Sequence, residues 1–114
     1  MNILCLLLCA FALTTVAPPI GDISVVVTPN TVTLPEMSDF LYNCLAGSPA
    51  VSFEWRFNFV EPLPVNAVPR DVSSVTSQLF IQNVTQSNAG AYFCTATYAN
   101  GGMGTGFAHL IFAG

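Results

Sequence analysis

Asn88-Ala-Gly90-Ala-Tyr92-Phe93-Cys94 is the stretch on which the reading of this protein turns. Tyr92 stands two residues before Cys94, and Cys44 lies fifty positions before Cys94. The only tryptophan, Trp55, follows Cys44 by eleven residues. Along the stretch Tyr92, Cys94 and Ala96 alternate with Ala91, Phe93 and Thr95. That is the period of a β-strand, in which successive side chains face opposite ways.

The same period recurs on both sides of it. Phe40, Tyr42 and Cys44 share a face, with Leu41 and Asn43 opposite. Val51, Phe53, Trp55 and Phe57 share one, with Ser52, Glu54 and Arg56 opposite. Leu79 and Ile81 repeat the pattern and Val84 closes it at a turn, while Ala108, Leu110 and Phe112 give a last strand its inner face. No helical periodicity competes, so the protein reads as all-β.

Breaks between these runs are equally informative. Pro29-Asn30 interrupts the β-branched run Ile23 to Thr28, which resumes over Thr31 to Leu34, as in a strand that leaves one sheet and joins the other. Glu61 to Pro69 carries three prolines, and proline cannot donate to a strand ladder. This segment is therefore expected to be an edge or an irregular connection. Asn100 to Gly106 is expected to be a hairpin loop built on glycines.

Length leaves room for one domain, preceded by a targeting segment. Ile3 to Val16 is an uncharged, mostly apolar run of 14 residues. It is shorter than the roughly 20 apolar residues that cross a bilayer and suits the apolar core of a signal peptide. Residues 1–17 are thus expected to be removed, with cleavage after Ala17, or after Ala12 because Pro18 hinders the first site. No membrane span is expected. Cys5 and Cys9 fall in the removed part, and residues 18–114 keep two cysteines, an even count that favours one disulfide in a secreted protein.

Six acids, two arginines and no lysine give a net charge of −4. Without clustered cations no surface for nucleic acid or anionic lipid is expected. Asn83-Val84-Thr85 is the one Asn-x-Ser/Thr tripeptide and marks Asn83 for glycosylation.

Taken together, Ile23 to Phe112 resembles an immunoglobulin-like domain of the intermediate set. Leu79-Phe-Ile81-Gln-Asn-Val84, followed by the opening stretch, carries most of the likeness. Pro29, Thr31-Val32, Leu63-Pro64 and Ala67 add a similarity to the immunoglobulin repeats of perlecan-type basement-membrane proteoglycans. The resemblance implies a β-sandwich of two antiparallel sheets bridged by Cys44 and Cys94. It also implies Trp55 packed on the bridge and the Tyr92 hydroxyl tying down the turn before its strand. Gly90, Leu79 and Ile81 complete the core signature. Two positions depart from the family pattern. Asn88 stands where an aspartate usually pairs with an upstream arginine, here Arg70, so Asn88→Asp is expected to raise the melting temperature. The glycine usual before the second strand is absent from Glu36-Met-Ser-Asp39.

Phe93, Phe107, His109 and Ile111 fall on outward positions of the last two strands and form the candidate partner surface. His109 is the only histidine, so no metal site is expected. No nucleophile, acid–base or phosphate-loop motif is present, and neither an enzyme nor a cofactor is expected. The expected role is that of an extracellular recognition module binding a protein or matrix ligand, with homophilic self-association among the options. The alternatives are a structural repeat of a longer matrix or adhesion protein and a soluble immune-type recognition molecule.

Overall fold

The computed structural model describes residues 24–114; the expected signal segment, with Cys5 and Cys9, lies outside the described residues. Eight strands follow one another: β1 (Val25–Thr28), β2 (Thr31–Leu34), β3 (Phe40–Ala46), β4 (Ser52–Phe57), β5 (Ala67–Ser73), β6 (Thr76–Ile81), β7 (Gly90–Thr97) and β8 (Met103–Phe112). A 3₁₀ turn over Gln86–Asn88 leads into β7. One sheet has the order β1-β3-β6-β5 and the other β2-β8-β7-β4. The Cys44–Cys94 disulfide ties β3 of the first sheet to β7 of the second. Closing a loop of that length stabilises the fold by roughly 4 kcal/mol on the loop-entropy estimate.

The immunoglobulin-like sandwich is therefore present, with one departure from two antiparallel sheets. β1 runs antiparallel to β3, whereas β2 runs parallel to β8, from Thr31 opposite His109 to Leu34 opposite Phe112. The cause is the break at Pro29-Asn30. The backbone keeps its direction while it crosses from one sheet to the other, and so meets β8 head to head. Asn30 stitches the crossing, its carbonyl accepting the His109 amide at 2.9 Å and its Nδ2 donating to the Phe107 carbonyl at 3.4 Å.

The alternating residues fill the core. Tyr42, Cys44, Trp55, Phe57, Leu79, Ile81, Val84, Tyr92, Cys94, Ala96, Ala108 and Leu110 are all buried. Val51 does not follow Trp55 inward. It precedes β4 and is 64% exposed. The indole of Trp55 donates to Ser77 Oγ at 3.0 Å, and that hydroxyl donates to Asp71 Oδ1 at 2.8 Å. A buried polar atom without a partner costs about 1–3 kcal/mol, which this relay avoids.

The proline-rich connection takes both of the forms expected of it: it is irregular as far as Asn66, and from Ala67 it becomes β5, an edge strand paired with β6 that accommodates Pro69. The glycine-rich hairpin is shorter than expected, since β8 already begins at Met103 and contains Gly104 and Gly106. Gly106 serves close approach rather than turning. A Cβ there would lie 2.5 Å from the carbonyl oxygen of Val25, because β1 crosses directly over it.

Candidate binding face

The outer surface of β4, β7 and β8 carries the residues singled out at the sequence level. Alternation that sends Tyr92 and Cys94 inward sends Phe93 outward, and the register sets Phe93 opposite Phe107 on β8 and Arg56 on β4. The rings of Phe93 and Phe107 stack at 5.7 Å between centroids, and His109 meets Phe107 edge-on at 5.8 Å. Phe107 and Ile111 are 48% and 49% exposed. Phe93 is partly covered, and His109 is exposed.

Part of what covers Phe93 is a residue that the sequence did not flag. After β4 the backbone turns back through Asn58 and Phe59, both at positive φ (48° and 78°), so that Phe57 and Glu61 exchange backbone hydrogen bonds. This turn lays the Phe59 ring against Phe93, 4.7 Å between centroids, although Phe59 itself is 74% exposed. Asn58 locks the turn to β7: its amide donates to the Ala91 carbonyl, and its Oδ1 accepts the Ala91 amide at 3.0 Å. Gly90 makes room for it. A Cβ at Gly90, where φ is +151°, would lie 2.7 Å from Asn58 Oδ1 and 2.9 Å from the Phe57 ring. Positive φ at a non-glycine residue has no signature in strand alternation, so the fourth aromatic was missed.

Phe59, Phe93, Phe107 and His109 thus form one continuous row across three elements. Aromatic pairs at such spacings gain about 0.5–1.5 kcal/mol beyond their buried area. Polar groups border the row on one side: the Arg56–Glu54 ion pair on β4, and the Thr95 and Thr105 hydroxyls bonded at 2.9 Å. The face is therefore apolar at its centre and carries both signs of charge at its rim.

The opposite sheet holds an apolar depression of about 310 Å³, lined by Leu41, Val68 and Phe80 with Arg70 and Gln78. Arg70 points to this outer face and makes no ion pair with the described acids, which overturns its expected contact with Asn88. Asn88 is buried and bonds Asn66 instead, the residue just before β5. Asn66 Nδ2 donates to Asn88 Oδ1 at 2.9 Å, and Asn88 Nδ2 donates to Asn66 Oδ1 at 2.8 Å. Two neutral amides satisfy each other here, and no charge has to be desolvated.

The remaining signature residues sit as follows. Leu79, Ile81 and Tyr92 are wholly buried. The Tyr92 hydroxyl donates to the Asn88 carbonyl at 2.7 Å, fixing the 3₁₀ turn to β7. Burial pushes its pKa up to about 12. Burial, with Tyr92 alongside, raises Tyr42 further still, and the Tyr42 hydroxyl has no hydrogen-bond partner. Asn83 is exposed at φ 53° between β6 and the 3₁₀ turn, its amide bonded to Asp39 Oδ1 at 3.0 Å. Among the described residues no group of three His, Cys, Asp or Glu side chains could hold a metal ion. Nor is any helix there long and apolar enough to cross a membrane.

A family model described as the immunoglobulin domain matches residues 24–97, ending where the hairpin to β8 begins. No curated protein sequence matches this one. Solved structures do match. The Dscam1 Ig7 domain, isoform 5, aligns with a TM-score of 0.64 at 20% identity, over 78% of this chain and 98% of its own. A chimeric titin Z1Z2 carrying an exogenous decorin peptide aligns with a TM-score of 0.65 at 23% identity, over 78% and 93%. A protein from a study of T cell specificity and activation by the superantigen toxic shock syndrome toxin-1 aligns with a TM-score of 0.67 at 15% identity, over 77% and 97%. At these identities the likeness is one of fold.

Proposed function

The protein belongs to the immunoglobulin domain family, and from that premise we propose that it is a secreted recognition module whose contact surface is the outer face of β4, β7 and β8. Immunoglobulin domains are protein-binding or structural modules, and the choice between these rests on what the surface offers. The observation that favours binding is the unbroken row Phe59–Phe93–Phe107–His109, extended along β8 by Ile111. Exposed aromatic surface rimmed by polar groups is the composition of a protein-contact patch, with a desolvated centre and a wet edge.

Two features support an extracellular setting. The Cys44–Cys94 disulfide persists in oxidising compartments, and the apolar run Ile3 to Val16 reads as a signal peptide removed at about Ala17. Asn83 would then carry an N-linked glycan, on a turn where it stands exposed. The partner is a protein or matrix ligand, and the neutral pairing of Arg56 with Glu54 on an otherwise acidic protein leaves a second copy of this face among the candidates.

Phe93→Ser with Phe107→Ser tests the reading in the oxidised, glycosylated protein. Both side chains lie outside the core, so circular dichroism should keep the parent's strand signature, with a melting transition lowered by the loss of the ring contacts but still cooperative. Capture of extracellular ligands and self-association by sedimentation should be lost. Unchanged capture and self-association in a folded double variant would overturn the assignment of this face.

A further inference from the structure

The hairpin between β7 and β8 ends in Asn100-Gly101-Gly102, a tip whose chemistry the aromatic face does not use. Asn100 and Gly101 are both exposed. Gly101 sits at φ +88°, and nothing lies within 4 Å of where a Cβ would be. Asn100 Oδ1 accepts the Gly102 amide at 2.8 Å. That bond holds the carboxamide oxygen back against the backbone and polarises the Cγ–Oδ1 bond, beside the nitrogen of Gly101.

We propose that Asn100 is a site of spontaneous covalent modification, converting to aspartate and isoaspartate through a cyclic imide. The Gly101 nitrogen gives up its proton to solvent and attacks Asn100 Cγ. The Cγ–Nδ2 bond breaks, ammonia leaves, and a five-membered succinimide closes. Water then adds to either imide carbonyl and breaks one of the two ring bonds to nitrogen. One product is aspartate; in the other the backbone runs through Cβ and Cγ. The balance is one water consumed and one ammonia released, with no oxidant or reductant.

Local structure sets when this happens. The Gly101 amide donates to the Tyr98 carbonyl at 2.9 Å, and the Tyr98 amide donates to the Gly102 carbonyl at 2.8 Å. The nitrogen is free to attack only when the tip opens, and an exposed loop tip held by so few bonds opens at a small fraction of the global unfolding free energy. Every other asparagine among the described residues is followed by a residue whose side chain crowds the attacking nitrogen: Thr31, Cys44, Phe59, Ala67, Val84 or Ala89. Asn66 and Asn88 are further held by their mutual amide bonds. Conversion adds one negative charge to a protein that carries −4. In the isoaspartyl product it also lengthens the backbone by one atom, so the Tyr98–Gly102 pairing cannot persist unchanged. Both changes fall at one end of the sheet that carries the aromatic row.

The oxidised, folded protein held at mildly alkaline pH and mapped over time by peptide mass spectrometry decides the matter. Asn100 should lose its amide well ahead of every other asparagine, with isoaspartate the larger product. Isoelectric focusing should show a shift of one charge toward acid, absent in Asn100→Gln. Asn100 intact throughout, other asparagines converting as fast, or the same acidic shift in Asn100→Gln would each overturn the proposal.

Discussion

The carboxamides of Asn66 and Asn88 face each other head to tail, each donating to the other at 2.8–2.9 Å, with Asn88 buried. Asn88 Oδ1 also accepts the Thr85 amide at 2.9 Å, and its carbonyl accepts the Tyr92 hydroxyl. One residue therefore joins the start of β5, the 3₁₀ turn and β7. The pairing reverses the sign of the effect predicted from the family pattern for Asn88→Asp. A carboxylate would keep the contacts from Thr85 and Asn66 Nδ2, but its second oxygen would face Asn66 Oδ1 and its charge would be buried without a cation. Reorienting Asn66 would sacrifice its 2.7 Å bond to the Gln82 carbonyl. Loss of about 1–3 kcal/mol is expected at neutral pH. The variant should recover on acidification, because the protonated acid can donate to Asn66 Oδ1 as the amide does. Urea unfolding at neutral pH and near pH 4, close to the ordinary Asp pKa of about 3.9, measures both effects.

Within Glu36 to Asp39, the stretch that lacks the usual glycine, Met37 sits at φ 69°. Its amide donates to the Val84 carbonyl at 2.8 Å, so the turn is held in that conformation from outside. The side chain is 62% exposed and contributes little to the core. Left-handed backbone costs an ordinary residue about 1–2 kcal/mol, and glycine loses about 0.5–1 kcal/mol more conformational entropy on folding. Met37→Gly should therefore stabilise by up to about 1 kcal/mol. Scanning calorimetry should show a rise of about 4–8 °C per kcal/mol gained in a domain of this size.

Strand periodicity made most of this fold legible. Tyr42, Trp55, Leu79, Tyr92 and Leu110 are inward as alternation required, and Phe93, Phe107, His109 and Ile111 are outward on neighbouring strands. The switch of sheet at Pro29-Asn30 was legible for a related reason, since proline breaks a ladder wherever it stands. The unreadable parts depended on contacts between distant segments. β5 is the edge strand in which only Ala67 is buried, so it has no apolar alternation to detect. Phe59 reaches the aromatic row through two positive-φ residues, and Asn66 rather than Arg70 meets Asn88 because of where β5 begins. Neither relation leaves a periodic trace.

Gly106 supplies a third test, because its lack of a side chain lets β1 pack onto β8. A methyl at this position would meet the Val25 carbonyl oxygen at 2.5 Å and its carbonyl carbon at 3.0 Å. Both are backbone atoms of a strand that runs in register against β3, so β1 cannot shift without disturbing that ladder. Gly106→Ala is expected to cost about 1–3 kcal/mol, the range for overpacking a core. The damage should be local. Hydrogen exchange should quicken at the Val25–Thr28 amides before it quickens in β7, and equal protection of β1 in variant and parent would refute the account.

Alkaline pH should expose the two buried tyrosines. Tyr92 has its pKa raised from 10.0 to about 12 by burial, and Tyr42 is raised further by burial and by Tyr92. In the unfolded state both titrate near pH 10. The folded state therefore holds protons that the unfolded state has lost, and unfolding releases protons above about pH 10. This contribution to stability is fully present below the unfolded pKa and disappears as pH rises through the folded value of Tyr92. Stability should be flat in this respect up to about pH 10 and fall steeply towards pH 12. Tyr42→Phe separates the two residues. The Tyr42 hydroxyl has no partner, so its removal leaves no bond unmade and should cost little or stabilise slightly at neutral pH. The same variant should lose one of the two protons released on alkaline unfolding, giving a shallower decline in urea midpoint above pH 10. Tyr92→Phe removes the bond to the Asn88 carbonyl and should destabilise at every pH by about 0.5–1.5 kcal/mol. If Tyr42→Phe were instead the more damaging change at neutral pH, the Tyr42 hydroxyl would have to hold a partner in solution, and its unpaired state would be refuted.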